Sequence, residues 1–272
     1  YGDAATGNKV KLQSEAEAKA VVDAVLGKNM NVKSVKRGVK YKTPAPPFTT
    51  STMLQEAARK LGFQSARTMR TAQELYEGIN LGAENGGTHG LITYMRTDSL
   101  RVSDEARAAA MNYIKSAYGD QYVPDKPRYF KQRANAQDGH EAVRPTNPAL
   151  TPAMVKDSLT VEQYKLYNLI WLRFMASLMA SCVQNTVKAE ILAHKENDGD
   201  KFCIFTAAGY SVKFDGFTKL YEDVTADEDS DTNIPDVKAG DVLKLKEVKG
   251  NQHFTQPPSY FTEASLIKTL EE

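Results

Sequence analysis

The sequence predicts an α+β chain in which a mainly helical segment is inserted between two strand-rich ones. Three observations carry this reading. Residues 48–185 place apolar side chains at helical spacing between hydroxyl-bearing caps and glycine stops. From residue 186 the pattern changes to period two, with Val187, Ala189, Ile191 and Ala193 alternating with polar neighbours. An earlier alternating stretch, Val32 to Tyr41, ends at "TPAPPF", Thr43–Phe48, a proline-rich crossing that neither a helix nor a central strand tolerates.

The elements follow in order. "SEAEAKAVVDAVL", Ser14–Leu26, reads as an amphipathic helix stopped by Gly27, and Val32–Tyr41 as a basic strand. "TTSTMLQEAARKLGF" offers hydroxyl caps, with Gln55 three residues after Thr52 as a capping-box partner and Gly62 as the stop. "SARTMRTAQELYEG" repeats the logic: Ser65 caps, and Met69, Ala72, Leu75 and Tyr76 form the apolar stripe. The glycine-rich "LGAENGGTHG" then leads into a short strand, Leu91–Tyr94, so two helices, a loop and a strand give a winged-helix-like part. Ser103 caps a helix that Gly119 ends. Thr160, with Gln163 as box partner, starts a long helix whose Trp171, Met175 and Met179 stripe reads as core. Val242, Leu243 and Leu245 sit among lysines as a late strand, and the acidic stretch 222–236 reads as a solvated loop. "PPSYFTEASLIKTLEE" opens a further helix at the chain's end. That ending, with the start at Tyr1, predicts a piece of a longer protein. The expected boundaries are 1–46 and 186–260 for the strand-rich parts, 47–185 for the helical part, and 261–272 for the start of another domain's helix.

Composition excludes several classes. The 272 residues are 41% apolar and 25% charged, which is ordinary for a globular chain. No apolar run approaches the roughly 20 residues that span a bilayer, and no secretory signal opens the chain. Cys182 and Cys203 lie far apart without C-x-x-C spacing, indicating neither a zinc site nor a disulfide framework. A cytoplasmic protein is expected. The net charge of +1 hides a division: residues 1–45 carry +5, residues 46–185 carry +3, and residues 186–272 carry −7. Ten of the eleven arginines fall between Arg59 and Arg173. Their planar forks suit phosphate, although helical surfaces with i,i+4 pairs use arginine in the same way.

One stretch concentrates chemistry: "HGLITYMRTDSLRVS", His89–Ser103. Tyr94 is either a half-buried ring closing the strand or a nucleophile. A free tyrosine ionises near pH 10, so a nucleophilic one needs help to shed its proton. Arg96 follows two residues on, which in an extended chain shares a face with Tyr94. There a guanidinium can stabilise a phenolate and the extra charge on a phosphoryl group under attack; alternatively Arg96 pairs at the surface with Asp98, which has the same parity. In "DGHEAVRPT", Asp138–Thr146, His140 and Arg144 are one helical turn apart and Pro145 ends the turn. They could hold one phosphate between them, or form a capped turn with Glu141 facing solvent. Tyrosine, arginine and histidine together suggest phosphodiester transfer through a phosphotyrosine. Tyrosine recombinases place their H-x-x-R-like pair before a late tyrosine; here Tyr94 precedes His140 by 46 residues, which argues against that class.

"ITYMRTDS", Ile92–Ser99, resembles the active-site signature of type IA DNA topoisomerases. "PFTTSTMLQEAARKLGF" (Pro47–Phe63), "AQDGHEAVRPT" (Ala136–Thr146) and "PPSYFTEASLIKTLEE" (Pro257–Glu272) resemble that family's blocks in the same order. The bacterial topoisomerase I branch is the nearest match, with Gly139 departing from an expected alanine. The resemblance implies a tyrosine-bearing helical domain inserted into an arch domain. It implies Tyr94 as the nucleophile, Arg96 as transition-state stabiliser, His140 as a contact to DNA phosphate, Arg144 as a second phosphate contact or a support for His140, and Asp98 as an orienting carboxylate. It also implies magnesium, held by a Toprim domain that precedes this region, with DNA and the other domains of the same chain as partners. The implied protein is a monomer of the bacterial nucleoid that relaxes underwound DNA without ATP. This region alone is then expected to be inactive, or to act only as a single-stranded-DNA-binding module.

Overall fold

The computed structural model describes residues 2–3, 11–83, 87–131, 139–194, 203–221 and 235–271. Two compact units account for the chain. One comprises Tyr1–Tyr41, Val183–Phe214 and Ala226–Pro258; the other comprises Lys42–Cys182, Asp215–Thr225 and Ser259–Glu272.

Among the described residues, the first unit is a five-stranded sheet with one helix. β1 (Gly2–Asp3), β2 (Asn29–Lys42), β5 (Cys182–His194), β6 (Cys203–Phe214) and β7 (Val242–Leu243) lie in the order β1-β6-β5-β2-β7. β5 and β6 form a long antiparallel hairpin that pairs Ala193 with Cys203 and Val187 with Gly209. The period-two pattern does what it predicts: Ala189 and Ala193 are buried while Lys188 is exposed. α1 (Glu15–Val25) is capped by Ser14, whose hydroxyl accepts from the Glu17 N–H, and the chain turns at Gly27 with φ 74°. Val21 and Val25 of α1 meet Met30, Ile191, Ala193, Cys203, Phe205 and Leu243 in a small core. Cys182 and Cys203 are both buried and are not joined in a disulfide.

The second unit is built around α6 (Val161–Leu178). Thr160 and Gln163 form the expected reciprocal capping box. Leu166, Tyr167, Ile170, Phe174 and Met175 are fully buried, each removal from water stabilising the fold by about 1.5–3 kcal/mol. α2 (Thr50–Leu61), α3 (Ser65–Glu77), α4 (Asp104–Tyr118) and the single turn α5 (Pro152–Val155) pack against it. Trp171 and Met179 are buried as the stripe predicts, and Trp171 Nε1 donates to the Pro148 carbonyl at 2.9 Å.

Three local expectations change. The capping box of α2 is Thr49 with Thr52, one turn earlier than the Thr52–Gln55 pairing, and Gln55 instead bonds the Ser51 hydroxyl. Gly62 does close α2, in the left-handed conformation. Ser65 lies inside α3 rather than capping it; its N–H is satisfied by the Glu263 carboxylate at 3.1 Å, from α7 (Glu263–Glu271). A carboxylate at a helix N-terminus also complements the helix dipole. Within the glycine-rich loop, β3 (Ile79–Asn80) and β4 (Thr88–His89) pair as a small antiparallel ribbon.

Residues 215–221 pack with the helices rather than with the strands that precede them. Phe217 and Tyr221 are buried, and the Tyr221 hydroxyl bonds the buried Glu56 at 2.6 Å. Gly216 permits the return: at φ 52° its Cβ position lies 2.5 Å from the Ser181 carbonyl oxygen, where no side chain fits. The acidic stretch expected as a loop falls outside the described residues over 222–234.

Candidate active site

The path of residues 90–101 is set from three sides. α3 ends against it, with the Leu91 N–H donating to the Leu75 carbonyl at 2.7 Å. Next to it runs the segment 142–146: the Thr93 N–H donates to the Arg144 carbonyl, and the Thr146 N–H to that of Leu91. The Thr93 hydroxyl donates to the Ala142 carbonyl at 2.7 Å and accepts from the Arg144 N–H at 3.0 Å. The third support is the start of α2. The Thr50 N–H donates to the Thr97 carbonyl, and its hydroxyl donates to the Met95 carbonyl at 2.7 Å while accepting from the Thr97 N–H.

Leu91–Tyr94 is therefore not a strand in a ladder. Ile92 makes an isolated bridge to Pro145, and the chain bends at Met95–Arg96. Pro145 has no N–H to donate, so regular pairing stops there and side-chain hydroxyls take over. The alternation of exposure survives the loss of the strand. Tyr94, Arg96 and Asp98 are exposed, while Met95, Thr97 and Ser99 between them are buried.

Tyr94 is 43% exposed, and its hydroxyl has no hydrogen-bond partner among the described residues. Its ring meets Tyr76 edge to face, with centroids 5.4 Å apart. Tyr76 is thus not part of the buried stripe of α3; it is 41% exposed beside Tyr94.

Arg96 stands apart from the other arginines. Arg59 pairs with Glu56, Arg67 and Arg70 with Glu162, Arg101 and Arg144 with Glu141, and Arg107 with Asp104. Arg128 bonds the Met179 carbonyl and the Ser181 hydroxyl, Arg173 the Pro46 carbonyl, and Arg37 pairs with Asp236. Among the described residues, Arg96 alone of the arginines has no such partner. The surface pair with Asp98 is not formed, and Asp98 is equally unpaired among the described residues.

The helical turn expected over His140–Arg144 is absent. The segment is extended, with Val143 bridged to Phe48 and Pro145 to Ile92. Pairing with two other segments holds it open where spacing alone suggested a turn. His140 is partly exposed, and its carbonyl accepts from Arg101 Nε at 3.3 Å. Arg144 is only 11% exposed and is committed to its own loop: Nε and Nη2 donate to Glu141 Oε2 at 3.0 and 2.5 Å, and Nη1 to the Pro145 carbonyl. Glu141 does not face solvent; it is 17% exposed between Arg144 and Arg101. Thr50, Tyr76, Arg101 and Glu141 all shape the site, and sequence reasoning assigned none of them to it. Thr50 lies within a recognised block, but no local pattern marks the other three as neighbours of Tyr94 or His140.

Among the described residues no group of three or more His, Cys, Asp or Glu side chains could hold a metal ion.

An exposed tyrosine, an exposed uncommitted guanidinium two residues on and an adjoining histidine segment form a set suited to phosphoryl transfer. A protein-family model described as DNA topoisomerase matches residues 2–272. The chain belongs to the type IA DNA topoisomerase family. It is 42% identical over 267 residues to DNA topoisomerase 1 of Rickettsia felis, covering 97% of this chain and 33% of that protein. It also resembles the solved full-length topoisomerase I of Thermotoga maritima, with a TM-score of 0.80 and 34% identity over 97% of this chain and 41% of that one. The chain thus spans about a third of the length of the topoisomerase relative it matches. No described helix of this topoisomerase-family chain is long and apolar enough to cross a membrane.

Proposed function

We propose that this chain supplies the nucleophile-bearing part of an enzyme that relaxes negatively supercoiled DNA by transient single-strand cleavage. The Tyr94 hydroxyl attacks a backbone phosphorus. The bond from phosphorus to the 3′ oxygen breaks, leaving a 5′-phosphotyrosine and a free 3′ hydroxyl. Attack of that hydroxyl on the phosphotyrosine restores the strand. One phosphoester is exchanged for another in each direction, so the cycle needs no ATP. Arg96 stabilises the charge that gathers on the phosphoryl oxygens, in the manner of a preorganised donor. Its planar fork suits two oxygens at once. His140 contacts a neighbouring phosphate, Arg144 supports the segment that carries it, and Asp98 orients groups on the exposed face. Magnesium belongs in this proposal to a Toprim domain of the whole enzyme, and no step assigned to these residues passes through it.

The observation that supports the reading is an exposed tyrosine with an unbonded hydroxyl followed two residues on by the exposed, uncommitted Arg96. Phosphate contacts position the strand without reading its sequence, so little base preference is expected from these groups. The test uses the full-length enzyme and a single-stranded oligonucleotide: Tyr94→Phe is expected to abolish covalent attachment and relaxation. Attachment by the Tyr94→Phe enzyme would sink the proposal. Taken alone, the chain is a binding module. With a net charge of +1, it is expected to bind single-stranded DNA weakly, in a salt-sensitive way, and to leave supercoiled plasmid unrelaxed.

A further inference from the structure

We infer that Arg101 is a positioning residue for His140, a role that rests on the proposed phosphate contact by His140. Residues 93–101 clasp residues 140–144 at two points. Thr93 holds one end through the Ala142 carbonyl and the Arg144 N–H. Arg101 holds the other end in three ways. Its carbonyl accepts from the Ala142 N–H at 2.9 Å, its Nε donates to the His140 carbonyl at 3.3 Å, and its Nη2 lies 3.8 Å from Glu141 Oε1. The Arg101 N–H is itself bonded to the hydroxyl of the buried Ser99 at 3.1 Å. Tyr94, Arg96 and Asp98 occupy the exposed positions between the two clasps. The same short segment that presents the nucleophile therefore also fixes the backbone on which His140 stands.

The side chain and the backbone of Arg101 do separable jobs. Replacing Arg101 by alanine leaves the bond from the Ala142 N–H to its carbonyl and removes the donor to the His140 carbonyl. With the side chain 45% exposed, the loss frees residues 140–141 without opening a core. Misplacing a contact group by about 1 Å slows chemistry far more than it weakens binding, by up to about a hundredfold.

The test compares full-length Arg101→Ala, His140→Ala, the double variant and Tyr94→Phe, measuring single-turnover covalent attachment to a single-stranded oligonucleotide at saturating DNA, DNA affinity and melting temperature. Arg101→Ala is expected to slow attachment about ten- to hundredfold with DNA affinity and melting temperature near wild type. The double variant should be no slower than His140→Ala, because residues acting as one unit do not add. A wild-type rate for Arg101→Ala, or a double variant slowed by the product of the two single effects, overturns the assignment while leaving Tyr94 as nucleophile. Attachment by Tyr94→Phe overturns the functional reading instead, so the two failures are distinct.

Discussion

The ring of Tyr76 meets the ring of Tyr94 edge to face, with centroids 5.4 Å apart and planes at 65°. α3 delivers Tyr76 to this place because its end is fixed against the following segment: a Cβ on Gly90 would lie 2.5 Å from the Tyr76 carbonyl oxygen. Such a ring pair contributes about 0.5–1.5 kcal/mol beyond area burial. Tyr76→Ala is therefore expected to slow covalent attachment about two- to tenfold, whereas Tyr76→Phe keeps the ring and the rate. Single-turnover attachment measures both. Equal slowing by alanine and phenylalanine would show that the hydroxyl, not the ring, matters.

Arg96 has no structural employment among the described residues, so its removal should spare the fold. Arg96→Ala is expected to lower attachment about 10²- to 10³-fold, the size of losing one preorganised donor at a transition state. Arg96→Lys keeps the charge but not the fork, and should recover only part of the loss. Unchanged melting with slowed attachment is the expected pairing of results; a cooperative loss of stability would assign Arg96 to the fold.

Two buried tyrosines predict how the helical unit fails in alkali. Burial raises Tyr167, whose hydroxyl donates to the Leu150 carbonyl, above the ordinary value of 10.0. Burial, and then its bond to the Glu56 carboxylate, raise Tyr221 in the same direction. The unfolded chain releases these protons first, so stability is full below about pH 10 and falls as pH rises further, by up to about 1.4 kcal/mol per pH unit for each group. Urea midpoints followed from neutral to alkaline pH should show this fall, and Tyr167→Phe should flatten it. An identical slope in that variant would remove Tyr167 from the account.

Gly139 occupies a position where the family resemblance leads one to expect alanine. Its backbone is outside the left-handed region, and an added Cβ would meet nothing within 4 Å among the described residues. Gly139→Ala is expected to leave the site intact and to stabilise the chain by about 0.4–1 kcal/mol, chiefly by restricting the unfolded state. A lower denaturation midpoint in the variant would contradict this.

Much of the local structure is legible in the residues themselves. Ser14, Ser103 and Thr160 cap the helices that follow them, and Gly62 ends one. The alternation that exposes Tyr94, Arg96 and Asp98 and buries Met95, Thr97 and Ser99 holds even though the segment is not a strand and bends at Met95–Arg96. The misreadings have a common origin. His140 and Arg144 have helical spacing, but Phe48 and Ile92 pair with their segment and keep it extended. Ser65 has the chemistry of a cap, but Gln64 stands at the cap position and Ser65 is the first helical residue, its own N–H donating to a carboxylate from α7.

The sequence by itself determined the alternation of exposed and buried residues along 94–98 and where most helices begin and end. These depend on backbone geometry within a few residues. Only the tertiary structure decided what those side chains are free to do. Arg144 is tied down by Glu141 within its loop, and that loop is placed by Thr93, 51 residues away, and by Arg101, 39 residues before His140. Arg96 remains uncommitted because the path of the chain brings it no carboxylate or carbonyl among the described residues. Contacts at such separations follow from how the chain closes on itself, and no local pattern of charge or hydropathy encodes them.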